Sequence, residues 1–273
     1  MRIVTLALAA ALAATSGVAL AAGSSLAPSY TLTTTTYTQN FDTLATTGTS
    51  QTLPAGFQIA EGNTGGAADG FYAAGTGSSN AGNIYSFGAA GSTERALGSL
   101  TSGSVTPTWF GGIFTNGLGG TIQSLTFTYD GEQWRAGSAA SDVLNFQYSL
   151  NATEVDNGTW TDINSLDFAA LILTGNTALD GNLAANRTAN LTGTASGLSI
   201  AQGQRFGFRW VDVDVTGSDH GLAVDNFRLS ATLAQTAAVP EPSTWALLIL
   251  GFGVVGASLR RRAKMTKAAL ALA

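Results

Sequence analysis

Four aspartates in the segment DVDVTGSDHGLAVD could supply the ligands of a metal ion. Asp212, Asp214, Asp219 and Asp225 flank a turn rich in Gly and Ser. Calcium binds carboxylate and carbonyl oxygens that converge on one loop. The segment begins like an EF-hand loop, but Ala223 stands where the acidic twelfth ligand belongs, and no helical pattern flanks it. One interpretation is a calcium site at the edge of a β-sandwich. The alternative, which we favour, is a solvated strand end whose aspartates cap turns.

Other patterns that could support catalysis are sparse. His220 is the single histidine, which excludes a two-histidine metal motif. We interpret it as an exposed loop residue, with a ligand contact or a general base as alternatives. No Gly-x-Ser-x-Gly nucleophile motif occurs. A phosphate-binding loop of the Walker type needs a lysine, and residues 22–239 contain none.

Two further chemistries involve carboxylates and aromatic rings. Residues 22–239 carry 16 acids, so paired carboxylates of a glycosidase are possible, and a secreted hydrolase stays an alternative. Trp109, Trp134 and Trp160 are either core residues or a platform on which sugar rings stack. We favour a protein that is not an enzyme.

Charge and composition exclude other classes. Six arginines oppose the 16 acids of residues 22–239, which gives this body a formal charge of −10. Such a surface repels phosphate backbones, so we expect no nucleic-acid partner. The chain has no cysteine, which rules out disulfides and thiolate chemistry. Thirty-four glycines and 45% hydrophobic residues favour short strands joined by many turns.

The elements that must position these residues are strands. Apolar and polar residues alternate in several runs, a period of two that places one strand face in a core. The apolar sets are Leu125, Phe127 and Tyr129; Leu144, Phe146, Tyr148 and Leu150; and Phe206, Phe208 and Trp210. After Trp210 the alternation changes phase, with Val211, Val213 and Val215 as the apolar set. This shift predicts a β-bulge or a strand crossing there.

Turn signals separate these runs, at Asn116-Gly117, Asp130-Gly131, Asn157-Gly158 and Asp180-Gly181. Strands of this length with turns at this density predict an all-β antiparallel sandwich. The stretch SLDFAALILT, residues 165–174, fits either a short helix or a buried strand. Through FDTLATTGTSQTLPAGF and GLAVDNFRL, among other stretches, the body resembles a jelly-roll or concanavalin-like module of secreted bacterial proteins. That resemblance implies that residues 37–44 and 222–233 share a sheet.

The N-terminus has the features of a secretory signal peptide. Arg2 precedes an apolar run over residues 3–14, and Ala19 and Ala21 occupy the −3 and −1 positions of a cleavage site. We predict cleavage after Ala21 and export of the body.

The C-terminal stretch PEPSTWALLILGFGVVGASLRRR resembles the PEP-CTERM sorting signal in its variant with Trp-Ala after the motif. The matching residues are Pro240, Glu241, Pro242, Trp245, Ala246, Arg260, Arg261 and Arg262. The resemblance implies recognition by an exosortase-type membrane protease that processes the protein near Pro-Glu-Pro. The arginines favour the cytoplasmic side, which leaves the body outside. The apolar run over residues 245–259 spans about 22 Å as a helix, short for a permanent anchor across about 30 Å of hydrocarbon.

These predictions divide the chain into five parts. They are a signal peptide (1–21), a β-sandwich (22–233), a linker (234–238), a sorting signal with a short transmembrane helix (239–264) and a cytoplasmic extension (265–273). We expect an exported structural or adhesive protein of the cell surface or the extracellular polysaccharide matrix. A carbohydrate-binding module, assisted by calcium or not, is the alternative.

Overall fold

The computed structural model describes residues 24–25, 28–63, 68–235 and 242–270. The described part contains seventeen strands, two 3₁₀ helices and one α-helix. The strands are β1 (Ser24–Ser25), β2 (Tyr30–Leu32), β3 (Thr36–Gln39), β4 (Thr49–Ser50), β5 (Phe57–Asn63), β6 (Tyr72–Gly75), β7 (Asn83–Phe87), β8 (Ala96–Leu100), β9 (Val105–Asn116), β10 (Ile122–Ala136), β11 (Val143–Ser149), β12 (Thr161–Asp162), β13 (Phe168–Ala169), β14 (Thr177–Ala178), β15 (Arg187–Ile200), β16 (Arg205–Asp212) and β17 (Gly221–Leu233). The 3₁₀ helices are Asn164–Leu166 and Ala184–Asn186, and α1 is Pro242–Leu270.

The strands form two sheets. The first sheet runs β1-β5-β9-β16-β11-β12, with β2 on β9 and β13 on β11. The second runs β14-β10-β17-β8-β7-β6-β4, with β15 on β10 and β3 on β17. Pairing is antiparallel except for β2 with β9 and β6 with β7, which are parallel. The all-β prediction is confirmed, but the sheets are mixed rather than purely antiparallel.

Aromatic side chains from both sheets fill the space between them. Phe208 of the first sheet stacks on Phe227 of the second with 4.6 Å between ring centroids. Phe127, also of the second sheet, lies 5.6 Å from Phe208. All three rings are at most 1% exposed. Because the inner faces of the two sheets share this core, the body is a β-sandwich.

The predicted strands and one long-range pairing are confirmed. The alternating apolar runs form β10, β11 and β16, and their apolar residues before the strand ends point into the core. Strand β3 pairs with β17, with Gln39 opposite Phe227 and Thr36 opposite Ser230. Of the predicted pair of segments, residues 37–39 therefore share a sheet with β17, as the jelly-roll resemblance implies, whereas residues 40–44 form no strand.

The predicted change of phase after Trp210 is wrong. Strand β16 keeps one register through Val211 against both neighbours. Asp212, which continues the parity of Phe208 and Trp210, is the buried residue, and Val213 is 42% exposed. The Asp212 carboxylate thus occupies an inward-facing position of β16, where the Ser99 hydroxyl donates a hydrogen bond to it.

Two other local predictions need correction. Asp130-Gly131 lies inside β10 instead of in a turn. The register against β15 shifts there, and a Cβ on Gly131 would lie 2.4 Å from the ring of Phe168. This glycine therefore serves close packing. Residues 165–174 contain the end of a 3₁₀ helix and the two-residue strand β13, so no α-helix forms there.

The chain divides into two compact units, Met1–Ala234 and Gln235–Ala273. In the second unit, residues 245–259 of α1 include no charged side chain, and Leu247, Ile249 and Phe252 are 69–72% exposed. The stretch Ser243–Arg262 has 20 residues and a mean hydropathy of 1.4, a length of about 30 Å. The helix extends beyond the apolar run of residues 245–259 at both ends, and by length and composition it can cross a membrane.

Candidate functional sites

The structure separates the four aspartates predicted to bind calcium. Asp212 and Asp219 lie together between the two sheets, at one end of the core, and are 0% and 4% exposed. Asp214 lies on the loop after β16 and is exposed. Asp225 is on the outer face of the second sheet, where it joins other carboxylates. The solvated strand end proposed as the alternative describes Asp214 alone.

Asp142, which sequence reasoning missed, completes an interior acidic cluster with Asp212 and Asp219. Ser99 Oγ donates to Asp212 Oδ2 at 2.6 Å, and Thr101 Oγ1 donates to Asp219 Oδ2 at 3.0 Å. Asp142 Oδ2 accepts a hydrogen bond from the His220 backbone N–H at 2.8 Å. The Asp142 carboxylate lies close enough to Asp212 to raise the pKa of that residue.

Burial and mutual repulsion control the charge of the interior acidic cluster. Burial, with the Asp142 charge as a second cause, raises the pKa of Asp212 well above its usual value. Burial also raises the pKa of Asp142 and takes that of Asp219 to about 7. Asp142 and Asp212 are at most 2% exposed, so a substrate has no access to this pair. The geometry opposes a glycosidase role for it.

His220 is buried, 0% exposed, so the prediction of an exposed loop residue is wrong. Its Nδ1 accepts a hydrogen bond from the Gly137 backbone N–H at 2.9 Å. Its Nε2 lies 3.2 Å from the Ala139 carbonyl oxygen, to which it donates. These roles define the neutral ring with its proton on Nε2. His220 fastens the loop after β10 and has no free nitrogen with which to act as a base.

A second set, the outer carboxylate group, consists of Glu94, Glu132 and Asp225. One carboxylate oxygen from each lies within 4.8 Å of the other two. Glu132 and Asp225 are 0% and 5% exposed. Burial is the main cause that raises the pKa of Glu132 to about 7 and that of Asp225 to about 8. Asp225 is the one residue of this group that sequence reasoning singled out, because the other two are remote in the chain.

The tryptophan face, defined by Trp109, Gln147, Trp160 and Arg209, lies on the outer side of the first sheet. In the strand register Trp109 is opposite Val211, and Arg209 is opposite Gln147. The Arg209 guanidinium lies 4.2 Å from the centre of the Trp160 ring, within cation–π range. Trp109 and Trp160 are half-buried, whereas Trp134 is 1% exposed and packs with Tyr85 and Phe87 in a second buried cluster, apart from the core between the sheets.

Hydrogen bonds hold the tryptophan face rigid. Arg209 Nε donates to Gln147 Oε1 at 2.8 Å, and its Nη1 donates to the Val155 carbonyl at 2.6 Å. Gln147 Nε2 then donates to Asp162 Oδ1 at 2.7 Å. Burial lowers the pKa of Arg209 to about 10, so it stays charged at neutral pH. The face offers flat rings beside fixed polar groups.

The residues of the sorting segment are only partly described. The signal-peptide residues Ala19 and Ala21 lie outside the described part of the chain, as do Pro240 and Glu241. Pro242 is the first residue of α1, where a missing N–H costs no helical hydrogen bond. Trp245 is 56% exposed, and Ala246 and the arginines 260–262 are also exposed.

Comparison with known proteins identifies the sorting segment. The family model of the PEP-CTERM protein-sorting motif matches residues 238–262, which confirms the resemblance read from the sequence. No curated protein matches the sequence of this chain.

Solved structures resemble the body only distantly. The module TmCBM61, solved with beta-1,4-galactotriose, is 7% identical over 64% of this chain and 88% of its own, with a TM-score of 0.32. The CBM22-1 xylan-binding domain of Paenibacillus barcinonensis Xyn10C is 10% identical over 73% and 95%, with a TM-score of 0.32. The K1 cleaved adhesin domain of Lys-gingipain from Porphyromonas gingivalis W83 is 16% identical over 72% and 98%, also at 0.32. Likenesses this weak carry no argument about what this chain binds.

Proposed function

We propose that this chain, whose residues 238–262 form a PEP-CTERM protein-sorting motif, is a structural or adhesive protein of the extracellular polysaccharide layer and not an enzyme. The motif and the apolar helix α1 indicate an exported protein with transient membrane anchoring and processing by an exosortase. The observation that carries the proposal is the motif itself, placed at the start of a helix that is long enough to span a membrane. We further propose that the processed protein is finally located at the cell surface or in the extracellular matrix.

The direction of insertion follows from charge. Three arginines close the span, and basic residues are retained on the cytoplasmic side. Pro-Glu-Pro and the acidic body then lie on the outer side, where a membrane protease reaches the motif. Helix α1 thus holds the protein until cleavage.

Replacing Glu241 with alanine should block processing. In a bacterium that contains an exosortase, the wild-type protein should lack most of residues 242–273, whereas the Glu241→Ala protein should keep them and stay in the membrane. Intact-mass spectrometry of membrane and secreted fractions measures both. Lys267→Ala, outside the matched motif, is the control and should be processed like the wild type. A wild-type protein that still ends at Ala273 in every fraction would contradict the sorting proposal.

A second candidate function, carbohydrate binding, is favoured by the tryptophan face. Trp109 and Trp160 present half-buried rings, while Arg209 and Gln147 are locked in place by the hydrogen bonds described above. Rigid rings beside fixed donors and acceptors suit a sugar, whose apolar face stacks and whose hydroxyls bond. A polysaccharide of the surrounding matrix is the proposed ligand.

Trp109→Ala should reduce polysaccharide binding at least about fivefold, since one stacking contact is worth about 1 kcal/mol beyond the area it buries. Affinity electrophoresis in gels that contain the host polysaccharide measures the retardation. Phe71→Ala removes an aromatic ring that is 37% exposed and lies outside the tryptophan face, so it should bind like the wild type. Equal loss in both variants, or no retardation of the wild type, would contradict binding at this face and would leave the sorting proposal unaffected.

A further inference from the structure

The outer carboxylate group joins three separate elements on the outer side of the second sheet. Glu94 lies in the loop before β8, Glu132 in β10 and Asp225 in β17. Strands β10 and β17 are neighbours, with Glu132 opposite Ala223, so Glu132 and Asp225 point to the same side. The group is therefore assembled by pairing between strands about 90 residues apart in sequence.

The spacing of the oxygens suits one ion. One oxygen from each carboxylate lies within 4.8 Å of the others. Calcium–oxygen distances are about 2.4 Å, so two ligands on opposite sides of the ion are at most about 4.8 Å apart. Among the residues that the structure describes, this is the set of acidic side chains that meets the condition.

The hydrogen bonds of the group leave one oxygen of each residue unpartnered. Glu94 Oε2 accepts from Asn182 Nδ2 at 2.7 Å, and Glu132 Oε2 accepts from the Trp134 indole N–H at 2.9 Å. Glu94 Oε1, Glu132 Oε1 and Asp225 Oδ1 are buried and have no hydrogen-bond partner. Ionising these residues without a partner for the buried oxygens is costly, and a bound cation would remove that cost. A cation bound between these three oxygens would give each of them a partner.

The arginines near the group are engaged elsewhere. Arg187 Nη1 lies 3.9 Å from Asp130 Oδ2, and Arg95 Nε donates to Ser86 Oγ. Glu94 raises the pKa of both Glu132 and Asp225, and Glu132 raises that of Asp225. Arg187 offsets part of the repulsion at Glu132, but among the described residues its ion pair is with Asp130 and not with the three carboxylates.

We propose that Glu94, Glu132 and Asp225 bind one calcium ion, which ties the loop before β8 to β10 and β17. The ligands are all anionic oxygens, which select a hard cation over zinc or copper. Calcium fits better than magnesium, because three side chains on different elements do not enforce a tight octahedron and water can complete the coordination. Of the four aspartates that the sequence predicted to bind calcium, only Asp225 belongs to this site. It is independent of the proposed function.

The first test measures thermal unfolding of the full chain in detergent. With calcium at a hundredfold excess over its Kd, the melting temperature should rise by about 5–10 °C relative to EDTA, and magnesium at the same concentration should give less. Glu132→Gln removes the charge but keeps an acceptor for Trp134, and it should abolish the rise, as should Asp225→Asn. Asp214→Asn, an exposed aspartate of the original prediction, is the matched control and should keep it. An equal rise in Glu132→Gln and the wild type would overturn the proposal.

The second test uses terbium, which replaces calcium and emits when a nearby indole is excited. Because Trp134 bonds to Glu132, bound terbium should show sensitised emission that calcium displaces. Trp134→Phe should lose this emission but keep the calcium-dependent rise in melting temperature. Should Glu132→Gln not fold, Glu94→Gln, a half-buried loop residue, takes its place and should weaken terbium binding at least tenfold. Emission absent in the wild type, or unchanged in Glu94→Gln, would also overturn the site.

Discussion

Phe208→Ala should lower the free energy of unfolding by about 3–5 kcal/mol, the range for removing a large aromatic side chain from a core. Phe208 is 0% exposed and lies at the centre of the sandwich. Its ring is 4.6 Å from Phe227, 5.6 Å from Phe127 and 5.7 Å from Phe57, measured between centroids. These partners belong to both sheets, so the cavity would loosen the contact that holds the sheets together.

Urea unfolding of the full chain in detergent, followed by tryptophan fluorescence, measures this change. Leu150→Ala is the matched control, because Leu150 ends the alternating run before β12 and is 38% exposed. Its expected cost is below about 1 kcal/mol, in line with surface substitutions. If the two variants were equally destabilised, the assignment of Phe208 to the central core would be wrong.

Stability should fall as the pH rises from about 4 to about 8 in EDTA. In the folded protein the pKa of Asp219 is about 7 and that of Asp212 is raised well above its usual value, whereas unfolded aspartates have pKa values near 3.9. Below pH 4 both states are protonated. Above it the unfolded state releases protons that the folded state retains, so stability declines by about 1.4 kcal/mol per pH unit for each retained proton. Glu132 and Asp225, whose pKa values are also raised, add to the same slope.

Asp212→Asn isolates the contribution of the interior acidic cluster. The amide cannot ionise, yet its oxygen accepts from Ser99 and its NH₂ group can donate to Asp142. The variant should therefore melt higher than the wild type at pH 8 and show a shallower decline between pH 4 and 8. Asp180→Asn, which changes an exposed aspartate between β14 and the second 3₁₀ helix, should retain the wild-type slope. A wild-type melting temperature that rises over this interval would contradict the protonated state of the cluster.

Buried apolar side chains stabilise the body, whereas the interior acidic cluster and the outer carboxylate group place ionisable carboxyl groups in buried positions, which lowers stability when they ionise. Both groups contain buried carboxylate oxygens without a hydrogen-bond partner. Among the described residues, only the outer carboxylate group brings oxygens from three acidic residues within 4.8 Å of one another. The two groups therefore respond differently to calcium, and the variants separate them.

Local pattern was sufficient for several conclusions. Alternation placed Leu125, Phe127, Phe206 and Phe208 on inner strand faces, because the side-chain period of a strand depends only on neighbouring residues. The sorting segment could be recognised from the sequence for the same reason, because its motif, apolar run and arginines are contiguous in the chain. These features needed no knowledge of the partner strands.

The tertiary structure alone decided what is buried and which charges meet. The sequence predicted that His220 lies in a solvated loop and Asp212 at a solvated strand end. Both are buried: Gly137, in the loop after β10, donates to His220, and Ser99 donates to Asp212. Trp109 and Trp160 are remote in sequence but share one sheet face. Glu94, Glu132 and Asp225 converge because β10 pairs with β17 and the loop before β8 folds beside them. Strand pairing between distant segments creates these sites, and no local period encodes it.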